Sequence, residues 1–72
     1  MQQYFFILSE GQYEYYRVHS HSELFHSDIP SYETYSDAKK EIDTLRIMYP
    51  EKKWKIYELF TFLNEVKELE HE

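Results

Sequence analysis

Residues 36–50 read SDAKKEIDTLRIMYP, and this stretch predicts a helix with both ends marked. Ser36 suits the N-cap position, and Asp37 places a negative charge in the first turn, where the helix dipole favours it. Apolar side chains recur at helical spacing on one face, as Ala38, Ile42, Leu45 and Tyr49. Because proline cannot continue a helix and restrains the residue before it, Pro50 ends this one. We therefore predict a helix over residues 37–49.

The segment before the helix is rich in aromatic and β-branched residues, which favour strands. Two such stretches, residues 3–9 and 13–20, flank Gly11, the single glycine of the chain. Since glycine is common in tight turns, this pattern predicts a β-hairpin over residues 3–20. Its register stays open, because a loop of two residues and a loop of three residues turn opposite faces of the second strand toward the core. Residues 21–35 lack periodicity and are interpreted as an extended loop with apolar anchors at residues 24–25 and 29–30, which could include a short edge strand.

After Pro50 the pattern becomes extended again. A strand over residues 53–63 is predicted, followed by an acidic tail over residues 64–72. The pattern of residues 61–70 fits a fraying strand and a short C-terminal helix equally well. The predicted fold is therefore a single α+β domain over residues 1–72, in which a small antiparallel sheet carries one helix on a face in the order ββαβ.

Length and charge restrict the kinds of protein this can be. The chain has 72 residues, too few for two independent cores. Its formal net charge is −6, and a basic middle lies between two acidic ends. Since nucleic-acid binding usually needs a continuous basic face, we do not expect a nucleic-acid partner. The mean hydropathy of −0.79 and the lack of a long apolar run predict no membrane span and a cytoplasmic location.

The sequence offers little of what enzymes need. A single glycine cannot build a phosphate-binding loop, and no serine lies in a glycine-flanked nucleophile turn. No cysteine is present for thiol or zinc chemistry. We therefore expect a protein that is not an enzyme and needs no cofactor.

One histidine cluster, made of His19, His21 and His26, contains metal-ligand residue types. On a strand, residues two apart point to the same side, so His19 and His21 could coordinate one metal ion. No second ligand pair occurs at a characteristic spacing. The favoured interpretation is a set of solvated side chains at a strand end, with no metal site.

Two surfaces are predicted to bind a partner. One helix cannot cover both faces of the sheet, and an uncovered face carrying aromatic residues such as Tyr13, Tyr15 and Trp54 predicts a homodimer or another protein contact. On the helix, Ile47 lies opposite the apolar stripe beside Lys40 and Asp43, which makes a small apolar centre with a polar rim.

Residues 35–45 (YSDAKKEIDTL) and 49–59 (YPEKKWKIYEL) resemble the capped helix, proline stop and basic aromatic strand of small bacteriophage accessory proteins. This resemblance implies a host-takeover or anti-defence role in the host cytoplasm. We therefore expect a small acidic binding protein that occludes, inhibits or sequesters a protein partner. The alternatives are a protein that traps a nucleotide or another small molecule at a dimer seam, and a histidine-based metal-binding module.

Overall fold

Four strands and two α-helices make up the part of the chain that the computed structural model describes, residues 3–19 and 21–68. In chain order the elements are β1 (Tyr4–Ser9), α1 (Glu10–Val18), a 3₁₀ helix (His21–His26), β2 (Ser31–Tyr32), α2 (Tyr35–Met48), β3 (Trp54–Leu59) and β4 (Leu63–Glu65). The strands pair antiparallel in the order β2-β1-β3-β4. The predicted α+β class with a small antiparallel sheet is confirmed. The predicted ββαβ order is corrected, because α1 stands where the second strand was expected.

The sheet has a core on each of its two faces. Since successive side chains of a strand point to opposite sides, β1 contributes to both. Phe6 and Leu8 join a first cluster with Leu24, Tyr57, Leu59 and Leu63. Ile7 joins a second cluster with Ala38, Ile42 and Ile56. The first cluster packs under α1 and the 3₁₀ helix, and the second packs under α2.

The predicted hairpin over residues 3–20 is wrong, because the chain turns into α1 directly after β1. A reciprocal capping box starts this helix: the Gln12 N–H donates to Ser9 Oγ at 3.4 Å, and the Ser9 N–H donates to Gln12 Oε1 at 2.9 Å. Glu10 adds a negative charge to the first turn. Neither hairpin register therefore exists, and residue 20 lies outside the described residues.

Gly11 gives a direct test of α1. It adopts no positive φ, and a Cβ added there would meet nothing within 4 Å. We expect Gly11→Ala to raise the free energy of unfolding by about 0.5 kcal/mol, because alanine loses less backbone entropy than glycine on entering a helix. Urea denaturation followed by circular dichroism measures this change. A hairpin turn at Gly11 would instead make the substitution destabilising.

The helix predicted over residues 37–49 is present, with its ends shifted. Thr34, rather than Ser36, is the N-cap, because its Oγ1 accepts the Asp37 N–H at 3.1 Å. At the other end, Tyr49 has left the helical conformation (φ −132°, ψ 69°), as expected for a residue before proline. Tyr49 is consequently exposed and does not belong to the buried stripe.

The predicted loop over residues 21–35 contains the 3₁₀ helix and the short strand β2. Ser27 stabilises the exit from the 3₁₀ helix, since its hydroxyl donates to the Leu24 carbonyl at 2.8 Å and accepts the Ile29 N–H at 3.1 Å. These local bonds hold Leu24 and Ile29 against the first cluster. A segment without sequence periodicity thus contributes to the core.

The strand predicted over residues 53–63 is two strands. β3 ends at Leu59, and the chain folds back so that Leu63 pairs with Leu59 in β4. Folding back sets the two leucines side by side on neighbouring strands, and both belong to the first cluster. In the predicted tail over residues 64–72, β4 ends at Glu65 and residues 66–68 form no helix. The remaining residues, 69–72, lie outside the described part.

The expectation of an uncovered sheet face is wrong, because α1 and the 3₁₀ helix supply the second layer. An open sheet face therefore no longer favours a homodimer that packs sheet against sheet. The homodimer itself stays a prediction. Within residues 3–19 and 21–68, the helices are too short and too polar to span a membrane.

Candidate functional site: the exposed end of α2

Three consecutive large apolar side chains are exposed at the C-terminal end of α2. Ile47 is 81% exposed, Met48 58% and Tyr49 43%. We call these three residues the α2 patch. Ile47 is exposed because it lies on the helix face opposite the buried residues Ala38 and Ile42. The fold leaves these apolar side chains in water, where they contribute little to stability.

The turn that follows α2 holds the patch in place. The Tyr49 N–H donates to the Leu45 carbonyl at 2.8 Å, and the Tyr49 carbonyl accepts the Trp54 Nε1–H at 3.3 Å. The rings of Tyr49 and Trp54 meet edge to face at 6.3 Å. Lys52 Nζ lies 5.8 Å from the centre of the Trp54 ring, a cation–π contact. The patch is therefore continuous with an ordered aromatic turn that carries a cation.

A charge network neutralises one flank of α2. Glu68 accepts a bidentate pair of hydrogen bonds from Arg46, at 2.8 and 2.7 Å, and a third from Lys39 at 3.3 Å. Lys39 also donates to Asp43 at 3.1 Å. The hydrogen bonds from Arg46, followed by those from Lys39, hold the pKa of Glu68 below its ordinary value despite partial burial. Asp43 and Arg46 are thus already paired within the chain.

Other cations near the patch have no such partner. In the described part of the chain, the cations that form ion pairs are Arg17, Lys39, Arg46 and Lys55. Lys40 and Lys52 are in none of these pairs. Lys40 shares the outer face of α2 with Ile47 at a spacing of seven residues, and Lys52 lies beside Tyr49 in the turn. The α2 patch therefore has an apolar centre, and two unpaired cations lie at its rim beside the paired Asp43.

The six predicted partner-binding residues do not form one surface. Ile47, Lys40 and Asp43 lie together on the outer side of α2, and Trp54 packs against the cluster below that helix. Tyr13 and Tyr15 lie on α1, across the sheet.

The two tyrosines of α1 differ from each other in their surroundings. Tyr13 stacks on Tyr57 with ring centres 4.5 Å apart and an interplanar angle of 7°. Tyr15 is exposed. The centre of its ring lies 4.9 Å from that of the Tyr16 ring and 4.2 Å from that of the His19 ring. Tyr13 therefore contributes to packing, whereas Tyr15 belongs to the surface.

The histidine cluster does not lie on a strand, as the sequence suggested it would. His19 is the C-cap of α1, and His21 and His26 begin and end the 3₁₀ helix. Because no strand holds them, the alternation that would turn His19 and His21 to one side does not apply. Among the described residues, no group of three or more His, Cys, Asp or Glu side chains is placed to hold a metal ion.

Met48 and Tyr49 are the site residues that the sequence analysis missed. The helical spacing assigned Tyr49 to the buried stripe, but Pro50 forces it out of the helix. That restraint was the signal in the sequence for an exposed aromatic residue at the end of α2. The resemblance to bacteriophage accessory proteins stays a prediction. Comparison of this chain with protein-family models, with curated proteins and with solved structures found no match.

Proposed function

We propose that this chain is a small acidic binding protein that occludes or sequesters a protein partner through the α2 patch. One observation carries this proposal: three consecutive residues, Ile47, Met48 and Tyr49, expose large apolar side chains that the core does not need. Interfaces are commonly built from such an apolar centre with a polar rim. The host or defence protein implied by the bacteriophage resemblance is the kind of partner we propose, and the site of action is the cytoplasm.

The charges around the α2 patch indicate what kind of surface the proposed partner has. The rim cations Lys40 and Lys52 have no ion pair within the described residues, whereas Asp43 and Arg46 are paired. An apolar surface edged with acidic residues complements this arrangement. Charge complementarity of this kind mainly raises the association rate and excludes wrong partners.

The nucleotide-trap alternative has less support. Tyr13 already stacks on Tyr57, and three carboxylates, those of Glu10, Glu14 and Glu65, line the adjacent groove. Lys53 and Lys55 also line this groove, but the carboxylates outnumber them, so the local charge does not favour phosphate groups. We therefore retain protein binding without catalysis as the proposed function.

Ile47→Asp tests this proposal. We expect it to abolish capture of the partner from a bacterial lysate by the immobilised chain, because it places a negative charge in the centre of the patch. The free energy of unfolding should change by about 0.5 kcal/mol or less, as for ordinary surface substitutions. Capture is measured by quantitative mass spectrometry of the bound proteins, and stability by urea denaturation.

Val18→Asp is the matched control, because Val18 is 70% exposed and lies at the end of α1 rather than on α2. It should capture the same protein as the unmodified chain. Equal capture by both variants would contradict a role for the α2 patch. Capture of nothing beyond the bare resin would count against protein binding itself. Light scattering on the same samples tests the predicted homodimer.

A further inference from the structure

A groove of about 370 Å³ lies between α1 and the strands β3 and β4, on the sheet face opposite α2. Glu10, Tyr13 and Glu14 line it from α1. Tyr57 and Glu65 line it from the sheet, together with Lys53 and Lys55. The groove is distinct from the α2 patch, and the proposed function does not use it.

The hydroxyl of Tyr57 is the unusual group in this groove. Tyr57 is only 4% exposed, yet within residues 3–19 and 21–68 its hydroxyl makes no hydrogen bond. No buried side-chain oxygen of the described residues lacks a partner, so this hydroxyl reaches the open space of the groove. Burial raises the pKa of Tyr57 to about 12, with smaller contributions from Glu65, Tyr13, Glu10 and Glu14. A neutral hydroxyl on an otherwise buried side chain thus faces the groove without a protein partner, free to bond to water or to a bound ligand.

The three carboxylates around the hydroxyl are available to a ligand. Glu14 pairs with Arg17 at 2.8 Å and Glu65 pairs with Lys55 at 3.5 Å, and both pairs are exposed. Exposed ion pairs contribute little, so a ligand can replace them at small cost. Glu10 has no ion pair in the described part of the chain. The carboxylates of the groove are therefore only weakly paired with cations of the protein itself.

The carboxylates of this groove are not placed to share a metal ion, so a flat organic cation is the kind of cation considered for it. Within the described residues, no three carboxylate or histidine side chains are placed to share one metal ion. A guanidinium group is planar, spreads its charge over five N–H donors and stacks on aromatic rings. Carboxylates on both walls of the groove would accept its N–H donors, and the half-buried Tyr13 ring, stacked on Tyr57 by one face, also lines the groove. Lys53 and Lys55 would repel ligands that carry several positive charges.

We propose that this groove binds a single guanidinium group, held by Glu10, Glu14 and Glu65, with the Tyr57 hydroxyl oxygen as a further acceptor. The group can come from a small guanidinium compound or from an arginine side chain in a peptide. Both sources present the same donors to the groove, and the experiment separates them.

Titration followed by ¹H–¹⁵N NMR tests the proposal with acetyl-Gly-Arg-Gly amide, methylguanidinium and acetyl-Gly-citrulline-Gly amide. Citrulline has the shape of arginine without its charge. We expect saturable shifts of the amides of residues 10–14 and 55–57 with the arginine peptide, and about tenfold weaker binding of the citrulline peptide. Tighter binding of the peptide than of methylguanidinium assigns the site to an arginine side chain. Equal binding assigns it to a small compound.

The double variant Glu10→Gln/Glu65→Gln should weaken binding of the arginine peptide by about tenfold. Glu23→Gln/Glu41→Gln removes the same charge away from the groove and should leave binding unchanged. Tyr57→Phe keeps the stacked ring, removes the hydroxyl and should weaken binding by about threefold to fivefold. The proposal is overturned if neither guanidinium ligand gives saturable shifts, if the citrulline peptide binds equally well, or if the two double variants lose affinity equally.

Discussion

Leu24→Ala should lower the free energy of unfolding by about 2–5 kcal/mol, although Leu24 lies in a segment that the sequence suggests is a loop. Its side chain is buried in the first cluster, where the 3₁₀ helix meets Phe6 and Leu8. Removing it leaves a cavity under the 3₁₀ helix as well as the lost transfer free energy of the side chain. In a domain of this size, such a loss is a large part of the total stability.

Urea denaturation followed by circular dichroism measures this effect, with Val18→Ala as the control. Val18 belongs to the same layer but is exposed, so its truncation should change the free energy by about 0.5 kcal/mol or less. Equal effects of the two substitutions would mean that the 3₁₀ helix is not docked. That result would leave part of the face under the first cluster uncovered by α1 and would again favour a homodimer through that face.

The second large effect is expected at Ile42, which is fully buried under α2. Ile42→Ala should lower the free energy of unfolding by about 2–5 kcal/mol, because Ile42 packs against Ile7 and Ile56 of the sheet. Ile47→Ala changes the same residue type in the same helix on its outer face. It should leave stability unchanged or slightly higher, since alanine has the better helix propensity.

This pair of substitutions tests the phase of α2 as well as its stability, using the same denaturation experiment. The reverse pattern, with Ile47 sensitive and Ile42 tolerant, would mean that α2 is rotated by about half a turn. The α2 patch would then be part of the core, and the proposed binding surface would be wrong. The two free energies therefore bear on the function as well as on the fold.

Local signals in the sequence were sufficient for α2 and β1. Pro50 restrains Tyr49 whatever the rest of the chain does, and apolar residues at helical spacing define one buried side through Ala38 and Ile42. The aromatic run of β1 favours a strand that is buried on both faces. These features depend on residues that are close in sequence, so the fold class, the helix and the exposure of Ile47 could be predicted.

The segment over residues 10–18 shows where local signals conflict. Its tyrosines favour a strand, while Ser9 and Gln12 form a helix-starting capping box. The conflict is resolved elsewhere, because β1 pairs along its whole length with β3, from Tyr4↔Leu59 to Ser9↔Trp54. With that edge of β1 taken by a distant strand, residues 10–18 become a helix that covers the first cluster.

Both candidate sites contain contacts that no local pattern can indicate. Arg46 and Glu68 are 22 residues apart in the chain, and their bidentate contact distinguishes the paired Arg46 from the unpaired cations at the rim of the α2 patch. Tyr13 and Tyr57 meet across the groove because α1 folds onto β3. The position of α2 and the exposure of Ile47 follow from residues within one or two turns of each other, so the sequence by itself determined them. Which charges are neutralised and which rings meet depends on distances set by the packing of α1 and α2 against the sheet, so only the tertiary structure decided them.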